Sequence, residues 1–306
     1  MDQFPKSFGI TFTPTIHAKA EGPTDPKGFK LPNPYVVLVT GAGKGLGLHI
    51  SLAYAYAGAS GIVISSRTKK DLDELEKQIH GINKDIKVLS RLCDTTNEQD
   101  VKSLVADVRA EFGRLDVAIA NAGVISKYIY DADGSNQRLP KGLIEDDDFA
   151  RVIDINLNGT RHVGKICLPL LQETKDGAQA FIAITSLASH LPDSQLTTLA
   201  YNLSKIAMNR MCESIATDHG GDGVVAFAVH PGAVRTPQTE GHMGEAWEAI
   251  LTDEIGLCGG FCVWLTQERR EWLSGRYLSS TWDTAELEGM KDEIVKEDKL
   301  KFRMVV

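Results

Sequence analysis

Short apolar runs rich in Val and Ile alternate with longer stretches of helical periodicity along most of this chain. The apolar runs lie at 35–39, 61–65, 85–89, 115–120, 178–185, 224–230 and 276–279. Helical spacing covers about 45–57, 68–80, 96–112, 145–172, 199–219 and 255–267. Strands of a parallel sheet give such continuous runs because helices cover both faces of the sheet. The alternation predicts right-handed βαβ units, and so an α/β fold with a doubly wound parallel sheet of about seven strands.

This texture forms one block, which predicts a single domain over residues 35–282. Residues 1–34 are rich in Pro, Thr, Gly and Lys without sustained periodicity, so we interpret them as an irregular extension. The stretch 124–148 contains Pro140 and the sequence Asp-Ala-Asp-Gly, both loop signals, and is expected to be an insertion. Residues 283–306 are predicted to form a tail with a surface helix and a strand-like or frayed end.

Charge and hydropathy argue against two classes of function. The 306 residues include 33 basic and 41 acidic side chains, a net charge of −8, and no basic stripe with interleaved aromatic residues. Nucleic-acid binding is therefore not expected. No apolar run approaches the roughly 18 residues that a membrane span needs. Residues 1–9 also lack the basic and apolar segments of a secretory signal.

The five cysteines, at 93, 167, 212, 258 and 262, include no CxxC pair. Cys258 and Cys262 are four residues apart in an apolar stretch and could share a helix face. Buried free thiols are favoured over a zinc or disulfide site. This composition predicts a reducing, cytoplasmic environment. The eight histidines show no metal-ligand spacing, so no metal is expected.

A glycine-rich turn follows the first predicted strand and opens the first helix. Residues 40–47 read TGAGKGLG, in which Gly41, Gly45 and Gly47 occupy the glycine positions of a TGxxxGxG pattern. Glycines let the backbone approach a pyrophosphate, which then lies on the free N–H groups of the helix N-terminus. The pattern indicates a dinucleotide site. Taken alone, a strand, turn and helix with no ligand is the alternative.

The end of the second predicted strand indicates which dinucleotide would bind. Many NAD-binding folds place an acidic residue there to hold the adenosine 2′-hydroxyl. Here the strand ends in Ser66 and Arg67, which can donate to a 2′-phosphate that a carboxylate would repel. Lys44 is either a surface lysine or a second phosphate partner, and Arg67 could be an exposed residue that begins a helix. We interpret the pattern as NADP(H) rather than NAD(H), with Leu46 of the turn as a further contact.

Tyr201 and Lys205 lie four residues apart near the start of a predicted helix. That spacing places the phenol and the ammonium on one face, one turn apart. A nearby cation favours the phenolate, which makes a tyrosine usable as an acid or base at neutral pH. The pair alone is a weak pattern, because a helix with one aromatic and one surface charge looks the same. Ser186 strengthens it, since the preceding strand ends at the sheet edge where α/β folds bind ligands.

Together these residues resemble the short-chain dehydrogenase/reductase family, and the resemblance covers about 35–282. The family's motifs occur in the expected order, as TGAGKGLG, Asp94, Asn121-Ala122-Gly123, Asn156, Ser186, Tyr201 with Lys205, and His230-Pro231-Gly232-Ala233-Val234-Arg235-Thr236. The tail is similar, more loosely, to that of many reductases from filamentous fungi, through Gly275-Arg276-Tyr277, Trp282-Asp283 and Glu286-Leu287. The resemblance implies a Rossmann-type sheet with helices on both faces and a catalytic domain that uses NADP(H).

The resemblance also implies a role for each matched residue. Tyr201 would be the general acid in reduction and the base in oxidation, and Lys205 would bind the nicotinamide ribose and tune Tyr201. Ser186 would orient the substrate carbonyl, and Asn156 would hold a water that links Lys205 to solvent. The other cofactor contacts would be Asp94 at the adenine, Asn121 and Gly123 on the path to the ribose, Val234 and Thr236 at the carboxamide, and Pro231 and Gly232 of the same motif.

The expected function is an NADP(H)-dependent oxidoreductase that interconverts a ketone and a secondary alcohol. Two alternatives stay open. One is a non-redox biosynthetic enzyme on the same scaffold, such as an isomerase, dehydratase or cyclase. The other is a nucleotide-sensing binding protein, which would not need the Tyr201 and Lys205 pair. The stretches 145–172 and 199–219 are expected to join copies into a homodimer or homotetramer.

The walls of the substrate pocket are expected from 124–148, 187–199 and 237–254. These segments contain apolar residues such as Leu187, Leu191, Leu196 and Trp247, and His190, His242 and Met243 also lie in them. The composition favours a largely apolar or polyketide-like small molecule of secondary metabolism as substrate.

Overall fold

A computed structural model of the chain describes residues 5–130, 132, 134, 137–241 and 245–304. Asp131 and Asp133 of the predicted insertion lie outside the described residues. So do His242 and Met243 of the predicted pocket wall.

Seven parallel strands form the central sheet. They are β1 (Val36–Thr40), β2 (Gly61–Ser66), β3 (Lys87–Leu92), β4 (Val117–Ala120), β7 (Ala180–Ile184), β8 (Val225–His230) and β9 (Arg276–Ser279). The strand order is β3-β2-β1-β4-β7-β8-β9, and each neighbouring pair is parallel. A separate antiparallel hairpin, β5 (Ile129–Tyr130) and β6 (Gln137–Arg138), lies in the insertion. The predicted doubly wound sheet is confirmed, with strand ends that differ by a few residues from the sequence pattern.

Helices connect the strands and cover both faces of the sheet. The described helices are α1 (Gly45–Tyr56), α2 (Lys69–Ile82), α3 (Glu98–Phe112), α4 (Gly142–Glu145), α5 (Phe149–Ile153), α6 (Gly159–Glu173), α7 (Leu199–His219), α8 (Glu245–Ile250), α9 (Leu257–Gln267), α10 (Thr284–Gly289) and α11 (Lys291–Lys296). Successive side chains of a strand point to opposite faces. Val37 of β1 therefore packs in one apolar layer with Ile50 of α1, whereas Leu38 packs in the other with Val163 of α6.

The helix predicted over 145–172 is interrupted in the structure. A π-helical turn, Asp154–Asn158, separates α5 from α6. Asn156 in this turn bonds through its side chain to the backbone of Val124 across the cleft floor. A π turn changes the direction of side chains within a helix and is frequent at functional sites. The periodicity of the sequence does not reveal this interruption, because both flanking segments keep an apolar face.

The N-terminal extension packs against the other end of the chain. Trp282 is almost fully buried and its indole N–H donates to the Gly9 carbonyl at 2.8 Å. His17 pairs with Asp283 at 2.9 Å, and this hydrogen bond is the main reason that the pKa of His17 is raised. The described part of the extension contains three 3-10 turns and a β-bridge between Ile16 and Trp282.

The C-terminal tail contains two short helices, α10 and α11, whose apolar side chains enter the core. Leu287 and Ile294 are fully buried in the cluster that also holds Trp282. The strand-like end that the sequence suggests is absent from the described residues, which follow α11 without a strand as far as Met304. No helix in the described ranges is both long and apolar enough to cross a bilayer.

Candidate active site

A cleft of about 660 Å³ opens along the carboxyl edge of the sheet. Most of the residues predicted for the site line it, namely Gly41, Lys44, Gly45, Leu46, Ser66, Arg67, Asp94, Asn121, Gly123, Ser186, Tyr201, Lys205, Pro231, Gly232, Val234 and Thr236. Gly47 and Asn156 do not line the cleft; both are buried beneath its surface. Residues that are far apart in sequence meet here because parallel strands all end at the same edge.

The glycine turn between β1 and α1 has no room for side chains at several positions. Gly41 and Gly45 have φ angles of +64° and +58°, in the left-handed region that favours glycine. A Cβ on Gly47 would lie 2.4 Å from the Gly41 carbonyl oxygen. A Cβ on Gly43 would lie 2.8 Å from the Cβ of Asp71. The turn is thus a close-packed cradle with bare backbone facing the cleft, which fits a bound pyrophosphate.

The adenosine end of this cradle carries two cations and one carboxylate. Lys44 and Arg67 line the cleft, and Arg67 is exposed. Neither side chain forms an ion pair with another described residue. Ser66 also lines this region, but its Oγ hydrogen-bonds within its own loop, to the Thr68 carbonyl oxygen at 3.2 Å. Asp71 of α2 borders the same space, which the sequence pattern did not indicate.

We call the part of the cleft lined by the glycine turn, Ser66, Arg67, Asp94 and Asn121 the nucleotide half. The loops after β3 and β4 form its floor. The Asp94 carboxylate accepts from the backbone N–H and hydroxyl of Thr96 at 3.0 and 2.8 Å. Asn121 donates through Nδ2 to the backbone oxygens of Thr40 and Gly41 at 2.9 and 3.2 Å. Asn121 therefore ties the end of β4 to the glycine turn and holds the turn in position.

Tyr201 and Lys205 on α7 meet Ser186 after β7. The Lys205 Nζ lies 5.3 Å from the centroid of the Tyr201 ring and donates to the Ile184 carbonyl oxygen at 2.8 Å. Burial lowers the pKa of Lys205 to about 7. Burial also raises the pKa of Tyr201, and hydrogen bonds from the side chains of Ser186 and Gln238 oppose that rise. Ser186, Gln238 and Lys205 thus surround the phenol in the cleft.

Asn156 joins the catalytic helix to the loop after β4. Its Oδ1 accepts from the Val124 N–H at 2.8 Å, and its Nδ2 donates to the Val124 carbonyl at 2.9 Å. The same Nδ2 lies 3.0 Å from the Ser204 hydroxyl of α7. A Cβ on Gly123 would lie 3.3 Å from Asn156 Oδ1 and 3.7 Å from Lys205 Nζ, so the glycine leaves the space over both polar groups open. The side-chain amide of Asn156 therefore connects α7 to the loop after β4. The predicted water-binding role of Asn156 stays a prediction.

The loop after β8 brings the last motif over the cleft. Gly232 has a φ angle of +90°, and a Cβ there would lie 2.8 Å from an oxygen of Asp253. The same Asp253 oxygen accepts from the Ala233 N–H at 2.7 Å. Burial is the main cause of the raised pKa of Asp253. Thr236 is fixed through its N–H, which donates to the Thr239 hydroxyl at 2.8 Å.

Two residues of the site, Gln238 and Asp71, were not singled out from the sequence, and a third, His230, was quoted in its motif without a role. Gln238 lines the cleft and lowers the pKa of the Tyr201 phenol, and Asp71 lies beside the glycine turn. His230 lines the cleft and accepts from the Leu187 N–H at 3.1 Å through Nδ1, while burial lowers its pKa to about 3. Gln238 and Asp71 carry no signal in the sequence, because Gln238 lies on a loop and Asp71 on α2, outside any of the motifs. His190, which the sequence placed on a pocket loop, packs instead on Tyr277, with ring centroids 4.6 Å apart.

Comparison with known proteins identifies the family. The sequence profile of the short chain dehydrogenases matches residues 35–245. The chain is 37% identical over 314 residues to the short chain dehydrogenase pgmD of Aspergillus terreus, covering 100% of this chain and 98% of the relative. It is 34% identical over 306 residues to the short chain dehydrogenase citE of Monascus ruber, covering 99% of each. The chain belongs to the short-chain dehydrogenase/reductase family, as its motifs indicated, and has relatives in filamentous fungi.

Solved structures agree with the fold. A short-chain type dehydrogenase/reductase from Mycobacterium marinum superposes with a TM-score of 0.69 at 22% identity, over 84% of this chain and 97% of the other. A 7α-hydroxysteroid dehydrogenase, in complex with NADH and a 7-oxo bile acid conjugate, gives a TM-score of 0.69 at 21% identity, over 85% and 96%. A fold of this family binds a nicotinamide cofactor, and the glycine cradle described above fits one.

Proposed function

We propose that this protein is an NADP(H)-dependent oxidoreductase that interconverts a ketone and a secondary alcohol. One observation carries the proposal, namely that Tyr201 and Ser186 line the same cleft beside Lys205, whose Nζ lies 5.3 Å from the centroid of the Tyr201 ring. A proton donor and a hydroxyl are thus held together at one point of the cleft. A carbonyl oxygen at that point would accept from both.

The roles of the protein groups follow from this geometry. When bound, the nicotinamide supplies or accepts the hydride. Tyr201 delivers its phenolic proton to the carbonyl oxygen in reduction and takes the hydroxyl proton in oxidation. Ser186 donates to the same oxygen and orients it. In its protonated form Lys205 stabilises the phenolate that remains on Tyr201, because the two groups share a buried site.

The turnover of a ketone panel with NADPH tests this function. We expect Tyr201→Phe to lower kcat by about 10²–10⁴-fold, the usual contribution of a general acid. Tyr130→Phe is the matched control, because Tyr130 is 61% exposed on the insertion and should leave kcat unchanged. Wild-type turnover in Tyr201→Phe would contradict the proposal. Product formation without any change in NADPH absorbance would point to a non-redox reaction.

The choice of NADP(H) rests on Lys44, Ser66 and Arg67. The Arg67 guanidinium is exposed and has no ion-pair partner among the described side chains, so it is free to bind a 2′-phosphate bidentately. The neighbouring carboxylate of Asp71 would favour a 2′-hydroxyl instead, so the two groups oppose each other. The 7α-hydroxysteroid dehydrogenase structure is a complex with NADH, but at 21% identity the similarity extends to the fold and not to the residues that contact the cofactor.

Replacing Arg67 tests the cofactor choice directly. We expect Arg67→Ala to raise the Kd of NADPH roughly tenfold, the loss of one charge-assisted contact of about 1.5 kcal/mol. The Kd of NADH should change less than about twofold, because it has no 2′-phosphate. Fluorescence titration of both cofactors measures the ratio. Equal weakening of the two cofactors would refute the role of Arg67.

The substrate is proposed to be a largely apolar ketone of secondary metabolism. Leu187, Leu191 and Leu196 line one part of the cleft, and Trp247 and Leu251 line it from the segment after β8. We call this part of the cleft the substrate half. Apolar lining of this kind favours desolvation of a ring or chain. Faster turnover of a small charged keto acid than of apolar ketones would overturn this.

We also propose that α6 and α7 form a contact between copies in a cytoplasmic homodimer or homotetramer. Leu203 and Ile206 are exposed on α7, where a partner copy would cover them. Light scattering on the purified protein measures the mass. All five cysteines are free and buried, which suits a reducing compartment.

A further inference from the structure

The insertion and the segment after β8 meet at one glycine beside the cleft. Tyr128 of the insertion lines the cleft, and its ring lies against Gly241. A Cβ on Gly241 would lie 2.4 Å from Cε2 and 2.6 Å from Cζ of Tyr128, whereas carbon atoms in contact are about 3.5–4.0 Å apart. Gly241 therefore has room only for a hydrogen on the side that faces the ring.

A second contact from the insertion reaches the same glycine. Gln137 of β6 donates from Nε2 to the Gly241 carbonyl oxygen at 2.8 Å. The antiparallel hairpin places Gln137 opposite Tyr130 of β5, two residues beyond Tyr128. One ring contact and one hydrogen bond thus hold Gly241 against the insertion.

Both ends of the insertion are hydrogen-bonded to the start of α7, the helix that carries Tyr201 and Lys205. The Ser126 hydroxyl donates to the Thr198 hydroxyl at 2.8 Å, and both side chains are buried. Asp146, near the end of the insertion, accepts from the Ala200 N–H at 2.9 Å. Ala200 precedes Tyr201 in the first turn of α7. The position of Tyr128 is therefore fixed relative to the catalytic tyrosine.

The segment that carries Gly241 is fastened at both ends. Thr236 and Thr239 hydrogen-bond each other at the start of the segment. Asp253 at its end accepts from the Ala233 N–H and pairs with Val234 in a β-bridge. The wall of the substrate half thus consists of two anchored segments that meet at Gly241.

We propose that Tyr128 is a specificity-determining residue, placed at the wall of the substrate half against Gly241, whose carbonyl oxygen accepts from Gln137, and that Tyr128 sets the size of ketone the cleft accepts. This inference rests on the proposed ketone reduction. Tyr201, Lys205 and Ser186, which handle the proton, and the glycine turn and Arg67, which contact the cofactor, all lie outside the insertion, so changes at Tyr128 should alter the choice of substrate and leave NADPH binding unchanged.

A substitution cycle between Tyr128 and Gly241 tests this with 2-tetralone as a two-ring ketone and cyclohexanone as a one-ring ketone. We expect Gly241→Ala to change the ratio of their kcat/KM values roughly tenfold, the effect of one misplaced methyl-sized group in an apolar pocket. Tyr128→Ala should shift the ratio toward 2-tetralone. The double variant should match Tyr128→Ala alone, because the added methyl no longer meets a ring.

Gly256→Ala is the matched control, since a Cβ there has no atom within 4 Å and the φ angle of Gly256 is not positive. Its ratio should equal that of the wild type, as should the Kd of NADPH for every variant. The proposal is overturned if Gly241→Ala keeps the wild-type ratio, or if its effect is undiminished in the absence of the Tyr128 ring. If Gly241→Ala does not fold, Gln137→Ala replaces it, with an expected shift of roughly threefold from the lost hydrogen bond.

Failure of the proposed function gives a different result. The wild type would then oxidise no NADPH with either ketone. In that case the Tyr128–Gly241 contact is tested by measuring the thermal midpoint of unfolding, Tm, for the wild type, the two single variants and the double variant. Gly241→Ala should lower Tm relative to the wild type, and should cause no further loss in the Tyr128→Ala background. Equal losses in both backgrounds would overturn the contact itself.

Discussion

The nucleotide half and the substrate half of the cleft are built in different ways. In the nucleotide half the glycine turn packs closely on its own backbone, as between Gly41 and Gly47, and the Asn121 side chain ties it to β4. In the substrate half the walls come from segments far apart in the sequence, joined by side chains, as in the Ser126–Thr198 hydrogen bond. The first half depends on small residues at fixed spacing. The second depends on pairs that only the folded chain brings together.

This difference explains how one fold serves many substrates. A cradle made of backbone needs the same glycines whatever the rest of the chain contains, so its pattern stays recognisable. A wall made of side-chain pairs can change without disturbing the cradle, because Tyr128 and Gln137 meet at Gly241, which lies in the segment after β8 and outside the glycine turn. Function is therefore set by loops on a constant scaffold.

Among the substitutions that compare the two halves, adding a side chain to the glycine turn should have the largest effect. Gly47→Ala would place a Cβ 2.4 Å from the Gly41 carbonyl oxygen and 2.5 Å from Asn121 Nδ2. We expect the Kd of NADPH to rise roughly 10- to 100-fold, because relief of this overlap must move the backbone that faces the pyrophosphate, at a cost of about 1–3 kcal/mol. Fluorescence titration measures the Kd, and urea unfolding shows how much of the cost falls on stability.

Gly81→Ala serves as the control for this substitution. Gly81 also lies in a helix, α2, but a Cβ there has no atom within 4 Å. Alanine should stabilise that helix by up to about 1 kcal/mol and leave the Kd unchanged. Retention of wild-type NADPH affinity in Gly47→Ala would mean that side chains, and not the backbone, form the nucleotide half.

The two halves also differ in how well sequence predicts them. The glycines, Ser186, Tyr201 and Lys205 could be placed in one cleft because each follows a strand or opens a helix in a local pattern. The Tyr128–Gly241 contact could not be predicted, because it joins residues more than a hundred positions apart and neither belongs to a periodic element. The π turn at Asn156 was hidden for a related reason, since a long-range bond to Val124 accompanies it.

Lys205 lies where the two halves meet, and its titration should affect stability. Burial lowers the pKa of Lys205 to about 7 in the folded chain, against about 10.4 in an unfolded one. The unfolded chain therefore binds more protons between these values, and stability rises with pH across that window. The free energy of unfolding of the wild type, minus that of Lys205→Met, should increase by about 2 kcal/mol from pH 7 to pH 9.

Urea unfolding of the cofactor-free protein at both pH values measures this difference. Lys77→Met is the control, because Lys77 is an exposed lysine on α2 and its replacement should give a difference that does not change with pH. A flat difference for Lys205→Met would mean that Lys205 stays charged in the folded state. The junction of the halves would then be open to water rather than buried.

The substitution with the smallest expected effect, Ser126→Ala, should change substrate binding without changing cofactor binding. Ser126→Ala removes the hydrogen bond to Thr198, both of whose partners are buried, and should lower the free energy of unfolding by about 1 kcal/mol. The bond anchors the insertion to the start of α7, so KM for the ketone should rise. The Kd of NADPH should stay within about twofold of wild type, because no backbone of the cradle moves. If NADPH binding weakened as much as it does in Arg67→Ala, the substrate half could not be independent of the nucleotide half, and variation in its loops would carry a cost in cofactor affinity.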